Sequence, residues 1–424
     1  MNKIIDSGLT SWIEVEKDSD FPIQNIPFGV FRSPGKQPSA GTRIGNTVIS
    51  LHELSKYSYL KGTGIETRFF NKPILNDFIA LGKSSRKKVR ERLIELFSKD
   101  NPLLRDNLKA TKEILFPVDE VEMMIPVKPG DYTDFYSSEQ HARNLGTILR
   151  DAHRALNPNW KHIPVAYHGR SSSIVISGTH VHRPKGQIIS SSSASPEFGP
   201  TKQLDFELEV AFITGKPTAL GESVKTAKAE DHIFGFVLFN DLSARDIQKW
   251  EYTPLGPFQG KDFGSVISPW IVTLDALEPF RTAGPYQDPP VLPYLSFEGN
   301  HHFDITLEIF LKTSGNKESR ISKTNYKNIY WNIAQQLAHQ TVNGCNINAG
   351  DIYSSGTISG TTRDSYGSMI ELSWAGTRPL RISGGIEREF LEDYDTVIFR
   401  GYAEKDGLRI GFGEVSVKIL PAKE

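Results

Sequence analysis

The chain has 424 residues, with apolar and charged fractions ordinary for a soluble globular protein and a formal net charge of −1. So near-neutral a balance argues against nucleic acid or an anionic membrane as partner, and the longest apolar run, Ile233–Phe239, is far too short to span a bilayer. A single cysteine, Cys345, excludes an intrachain disulfide. With no signal-peptide core at Met1–Ser7, a reducing, cytoplasmic setting is the expectation.

Frequent glycine and proline turns predict a β-rich body with some helix. Residues 1–120 read as one unit. Pro27–Phe31 and Arg43–Leu51 are predicted strands with a turn at Gly45-Asn46. A helix is predicted over Ser84–Ser98, with Val89, Leu93, Leu96 and Phe97 on one face and Lys and Arg opposite. Met123–Gly130 leads into a second unit, and the boundary is set so that this unit spans residues 121–424. There, Ser173–Ser177, Phe303–Phe310 and Glu414–Leu420 read as strands, and Asp241–Trp250 and Tyr330–Gln340 as helices. Ser243 with Asp246 resembles a capping box, and Ser190–Ser193 reads as a surface loop. There is no internal repeat, no βαβ rhythm and no glycine-rich phosphate loop. Cys345 reads as a small buried residue.

The densest chemistry lies in Gln203–Phe212. As a strand, it would put Leu204, Phe206, Leu208 and Val210 on one face and Asp205, Glu207 and Glu209 on the other, same-face neighbours about 7 Å apart. Carboxylates that close repel unless solvated, protonated or bound to a cation. With Asp134 and Asp241 they form an oxygen-rich set that suits Mg²⁺, Mn²⁺ or Ca²⁺ better than Zn²⁺, but spacing alone also allows a solvated acidic face. On the Asp241–Trp250 helix, Arg245 and Gln248 share a face that could donate to an oxyanion; an Asp241–Arg245 pair on a solvated helix is the plainer alternative. Pro254-Leu-Gly-Pro257 breaks the helix and leaves Lys261 on a loop. His141 could take a proton from water, although a lone histidine is more often structural. Glu371, read as strand, faces away from Ile370 and Leu372, and an inward acid needs a partner such as histidine. A Ser–His–Asp hydrolase is disfavoured, since no Gly-x-Ser-x-Gly elbow is present.

Several long strings occur together: Asp131–Ser138 with His141, Pro164–Ser172, Leu204–Glu209, Asn240–Gln248, Trp250–Phe258, Ser355–Gly360 and Asp18–Asn25. Over nearly its full length the chain resembles the fumarylacetoacetate hydrolase family. The resemblance implies a mainly β fold with some α: a small N-terminal SH3-like barrel and a large C-terminal mixed β-sandwich roll, assembled as a homodimer. It implies hydrolysis of the C–C bond of 4-fumarylacetoacetate to fumarate and acetoacetate, the last step of tyrosine and phenylalanine breakdown. By match, Asp134, Glu207, Glu209 and Asp241 would bind Mg²⁺ or Ca²⁺, with Lys261 and Ser265 beside the ion; mammalian members carry threonine where this chain has Ser265. His141 would be the base, oriented by Glu371, and Arg245, Gln248 and Lys261 the oxyanion site. Tyr136, Arg150, Tyr167, Gln248, Tyr252 and Thr357 would hold the substrate. The loop Thr361–Ser365 departs from the mammalian pattern. Another hydrolase, decarboxylase or isomerase of the superfamily, or a non-catalytic cation-binding protein, would lack the combination of His141, the N-terminal unit and the Arg, Gln and Lys set.

Overall fold

The computed structural model describes residues 8–150, 152–189 and 195–424, so the serine run Ser190–Ser193 lies outside the described residues. In the N-terminal unit the predicted turn forms at Gly45, whose φ of 53° and close approach to the Glu14 carbonyl exclude a side chain. The Arg43–Leu51 run is therefore a hairpin of Ser39–Ile44 with Thr47–Ser50, and Leu51 opens the helix Leu51–Lys56. The hairpin belongs to a five-stranded antiparallel sheet in the order Leu115–Pro117, Thr47–Ser50, Ser39–Ile44, Gly29–Arg32, Glu122–Met124, the SH3-like element.

The helix Gly82–Phe97 buries Val89, Leu93, Leu96 and Phe97 as expected, but its basic residues are not all opposite. Arg86 and Arg90 are buried with the apolar stripe because each finds backbone acceptors there. Arg86 donates to the Ile233 and Phe234 carbonyls and to Asp275; Arg90 donates to the Gln24, Asn25 and Ile26 carbonyls. Both arginines thus fasten chain that helical periodicity cannot see.

The C-terminal part is a roll of two curled sheets. One is eight-stranded and mixed, running Ala166–Gly169, Tyr132–Phe135, Ile352–Ser354, Leu208–Thr214, Ile233–Asp241, Ser265–Ile267, Ile174–Ile176, with Val272–Thr273 added on Ile233–Asp241. The other has five strands: Ser319–Asn325, Thr306–Lys312, Thr396–Lys405, Leu408–Leu420, His180–His182. Side-chain alternation decides what each face of the larger sheet meets. Leu208, Val210, Phe212, Phe236 and Leu238 enter the core between the sheets. Tyr132, Ala211, Ile213, Val237, Phe239, Ile267 and Ile352 point the other way, into a core continuous with that of the N-terminal unit.

Several predicted elements are shifted. The Asp241–Trp250 helix begins only at Arg245, because Asp241 is still paired with Ser265 in the sheet and Ser243 is strand-paired with Asp205. Ser243 therefore caps nothing; the Asp246 carboxylate instead accepts from Thr201 and from the Lys202 N–H. The Tyr330–Gln340 helix runs Ile333–Thr341, started by an Asn332–Gln335 capping box. Phe303–Phe310 is split at a turn into His302–Phe303 and Thr306–Lys312. Glu371 sits on the short helix Met369–Leu372 rather than a strand. Cys345, on a loop, is partly exposed rather than buried. Among the described residues, no helix is long and apolar enough to cross a membrane.

Candidate active site

On the face shared with the N-terminal unit, adjacent strands turn from apolar to polar at one end. Two residues beyond Tyr132, Ile352, Ala211, Phe239 and Ile267 stand, respectively, Asp134, Ser354, Glu209, Asp241 and Ser265. Register aligns them: Asp134 lies opposite Ser354, and Asp241 opposite Ser265. Glu207, just ahead of the strand Leu208–Thr214, joins the row through a bridge to Ser368. Ligand oxygens of Asp134, Glu207, Glu209 and Asp241 all lie within 4.8 Å of one another. Glu207 and Glu209 are 4% and 0% exposed, which rules out the solvated-face reading.

The four carboxylates fall into two electrostatic classes. Glu207 accepts from Lys261 and, at 2.7 Å, from Arg245 Nη2. Asp241 accepts from Lys261 Nζ at 2.9 Å, from the Tyr167 hydroxyl at 2.7 Å and from Ser265 Oγ at 2.9 Å. Burial opposes the ionisation of Glu207, but Lys261 and then Arg245 outweigh it and hold the carboxyl well below its usual range. Burial likewise works against the Lys261 ammonium, and Asp241 and Glu207 together hold its pKa above the usual lysine range. Asp134 and Glu209, in contrast, have no ion-pair partner among the described residues. Burial first, and then the neighbouring carboxylates, push both well above the ordinary carboxylate range. Asp134 Oδ1 and Glu209 Oε1 are buried without a hydrogen-bond partner among the described residues. Orphaned carboxylate oxygens facing one another, in an all-oxygen donor set, are what a hard divalent cation satisfies.

His141 is delivered by the helix Glu139–Leu149, whose N-cap Ser138 accepts the His141 N–H. Its Nδ1 lies 2.7 Å from Glu371 Oε2, and its Nε2 lies 3.9 Å from Glu207 Oε1, so the ring bridges Glu371 and the acidic row. Glu371 also accepts from Ser359 Oγ, from Ser368 Oγ at 2.7 Å and from Asn144 Nδ2 at 2.8 Å. Burial raises its pKa, but the histidine and these donors overcome that and hold Glu371 below its usual range. An ionised Glu371 takes a proton-bearing Nδ1 as donor, leaving Nε2 as the free acceptor toward the cluster.

The remaining predicted residues are distributed less evenly. Tyr136 packs its ring edge-on to His141 at 5.3 Å, and burial pushes its phenol up. Thr357 is buried, with Oγ1 unpartnered among the described residues. Gln248 Oε1 accepts from Arg245 Nη1 at 3.3 Å. Arg150 and Tyr252 are exposed; Arg150 sits at the C-terminus of the His141 helix and donates to the Ala155 carbonyl. Arg245 does not pair with Asp241, since the two are on different elements. Sequence reading missed Asn144, Ser354, Ser359 and Ser368. Asn144 was findable, three residues after His141 on one helix face; Ser359 lies in the string Ser355–Gly360 that carries part of the family resemblance.

Residues 132–417 match the fumarylacetoacetate hydrolase C-terminal family, and residues 24–126 the fumarylacetoacetase N-terminal family. The chain is 49% identical to a fumarylacetoacetase of Arabidopsis thaliana over 417 residues, 98% of this chain and 99% of that one. It is 48% identical to a fumarylacetoacetase of Homo sapiens over 414 residues, 97% and 99% of the two chains. A solved fumarylacetoacetate hydrolase from Exiguobacterium antarcticum shares the fold, with a TM-score of 0.53 at 17% identity, over 94% of this chain and 100% of that one.

Proposed function

The chain belongs to the fumarylacetoacetate hydrolase family, and we infer that it hydrolyses the C–C bond of 4-fumarylacetoacetate to fumarate and acetoacetate. The observation that carries this reading is the buried His141–Glu371 pair set against four clustered carboxylates with Lys261 and Arg245 among them. Water is a poor nucleophile, so His141 Nε2 removes its proton as the water oxygen bonds to the fumaryl carbonyl carbon. Glu371 keeps Nδ1 protonated and stabilises the imidazolium that results. The carbonyl oxygen becomes an oxyanion, toward which Arg245, Gln248 and Lys261 donate; each such donor is worth about 3–4 kcal/mol. Collapse restores the carbonyl as the carboxyl of fumarate and breaks the bond to the methylene carbon. The electron pair leaves on that carbon as the enolate of acetoacetate, which takes the proton held by His141. A divalent cation held by Asp134, Glu207, Glu209 and Asp241, beside Lys261 and Ser265, would supply Lewis acidity and a template for the diketone oxygens. All-oxygen donors suit Mg²⁺ or Ca²⁺. The substrate's two carboxylates fall to Tyr136, Arg150, Tyr252 and Thr357, donors of the kind such groups need, while Tyr167, whose hydroxyl proton goes to Asp241, holds the substrate through its ring.

The test is to mix the protein with fumarylacetoacetate and Mg²⁺ and follow loss of the diketone's ultraviolet absorbance. Decay that EDTA stops is expected; no decay, with EDTA making no difference, would leave a cation-binding protein without this activity.

The same reading puts the protein in the last step of tyrosine and phenylalanine breakdown, in the cytoplasm, as two domains, with the boundary expected at 120/121 moved past Glu122–Met124, which pairs in the N-terminal sheet. It also proposes a homodimer. Supporting apolar surface comes from Phe198, 75% exposed, which is cross-strand to Gln187, the acceptor of the Trp250 indole N–H. A monomer in sedimentation velocity would remove the dimer.

A further inference from the structure

Asp205 is the acid that the ligand cluster leaves out, and its surroundings say why. It is fully buried, and both its oxygens are taken. Oδ1 accepts from the N–H groups of Phe206 at 2.7 Å and Met369 at 2.6 Å; Oδ2 accepts from Arg245 Nε at 2.7 Å and the Ile370 N–H at 3.2 Å. Four donors saturate the carboxylate, so it has nothing left to offer a cation. Those donors come from the two arms of the site. Arg245 belongs to the oxyanion arm and reaches Glu207 through Nη2. Met369 and Ile370 immediately precede Glu371, which holds His141. The strand pair Leu204–Asp205 with Ser243–Ala244 fixes Asp205 beside the first residue of the Arg245 helix.

We propose that Asp205 is a positioning residue that ties Arg245 to the segment bearing Glu371, so that the oxyanion donor and the base are set in one register. This rests on the reaction assigned above. With Nε and Nη2 both anchored on carboxylates, the guanidinium plane has one orientation, and Nη1 is the edge left to turn toward Gln248 and the substrate. An asparagine cannot reproduce the arrangement, because both oxygens face donors and one would be replaced by an NH₂ group.

The test is a double-mutant cycle in the cation-loaded enzyme. Asp205→Asn is expected to lower kcat by about 10–100-fold, as supporting residues of a site do, with KM changed by less than about 3-fold. In an Arg245→Gln background the same change is expected to cost less than about 3-fold more, because the group it orients is already gone. Losses that multiply in full, or a loss confined to KM, would overturn the proposal. Should Asp205→Asn not fold, Asp205→Glu, which keeps the charge but displaces it by a methylene, is read in the same cycle with the same expectations. Hydrogen exchange at Met369 and Ile370 reports the tie without substrate: faster exchange in the variant is expected, and unchanged exchange would overturn it. A wild-type enzyme inert toward fumarylacetoacetate would sink the assigned reaction, while the exchange measurement would still decide the tie.

Discussion

Replacing His141 with alanine is expected to lower kcat by about 10²–10⁴-fold while leaving the fold and the cation site in place. The imidazole stands between Glu371 and the acidic row, with Nδ1 on one and Nε2 toward the other. Its removal takes away the acceptor for the water proton and leaves the Lys261 and Arg245 contacts of Glu207 in place. Glu371 keeps Ser359, Ser368 and Asn144 as donors, so its charge stays satisfied and the helix Met369–Leu372 stays put. Glu371→Gln is expected to be nearly as damaging by a different route. A glutamine NH₂ can hold the histidine with Nδ1 as acceptor, placing the proton on Nε2 and disabling the base, an effect of about 10⁴-fold in a hydrolytic triad. Steady-state kinetics beside a cation-induced shift in Tm check both variants. Near-normal turnover by His141→Ala would remove it from the role of base.

Glu209→Gln is expected to weaken cation affinity by at least about 100-fold, more than loss of a supporting contact costs, and yet to stabilise the cation-free protein at alkaline pH. The first follows from the loss of a charged oxygen donor in the cluster, the second from the raised pKa values of Asp134 and Glu209. In the unfolded chain these groups titrate at their ordinary 3.8 and 4.5. Folding raises both, so the folded cation-free protein holds protons that the unfolded chain has released. The stability this contributes is present below the unfolded values and is lost as pH rises through the folded ones. A divalent cation takes the place of those protons, so its binding releases protons and its gain in Tm grows as pH rises from 5 to 8. Glutamine at 209 removes one repelling charge and keeps an oxygen for Ser354, hence the firmer cation-free state and the smaller cation gain. Calorimetric titration with Mg²⁺ and Ca²⁺, and melting curves across pH, check this. Unchanged affinity would break the assignment of the acidic row.

What the sequence conveys about this site depends on how local each feature is. The alternation in Gln203–Phe212 places Leu208 and Val210 in one core and Glu209 on the opposite face, because period two is a property of the strand itself. Glu209 and Asp241 lie on consecutive strands that pair directly, but Asp134 joins them only because the distant strand Tyr132–Phe135 enters the same sheet through Ile352–Ser354, which spacing cannot reveal. Asp205 and Glu209 look equivalent in the string, but the strand is interrupted at Phe206-Glu207, and Asp205 turns to Arg245. The helix predicted from Asp241 starts four residues late for the same reason: the sheet claims Asp241 first. Arg86 and Arg90 read as solvent-facing because helix periodicity counts charge as polar, whereas backbone carbonyls of other elements accept both. Resemblance carried the ligand set, and geometry supplied the reason for it.

Everything in this site serves the addition of water across one C–C bond, at the fumaryl carbonyl. Turnover of fumarylacetoacetate in water enriched in heavy oxygen, with the products weighed by mass spectrometry, tests it most directly. Equal amounts of fumarate and acetoacetate are expected, with one labelled oxygen in the new carboxylate of fumarate. Malonate among the products, or fumarate formed without the label, would contradict it.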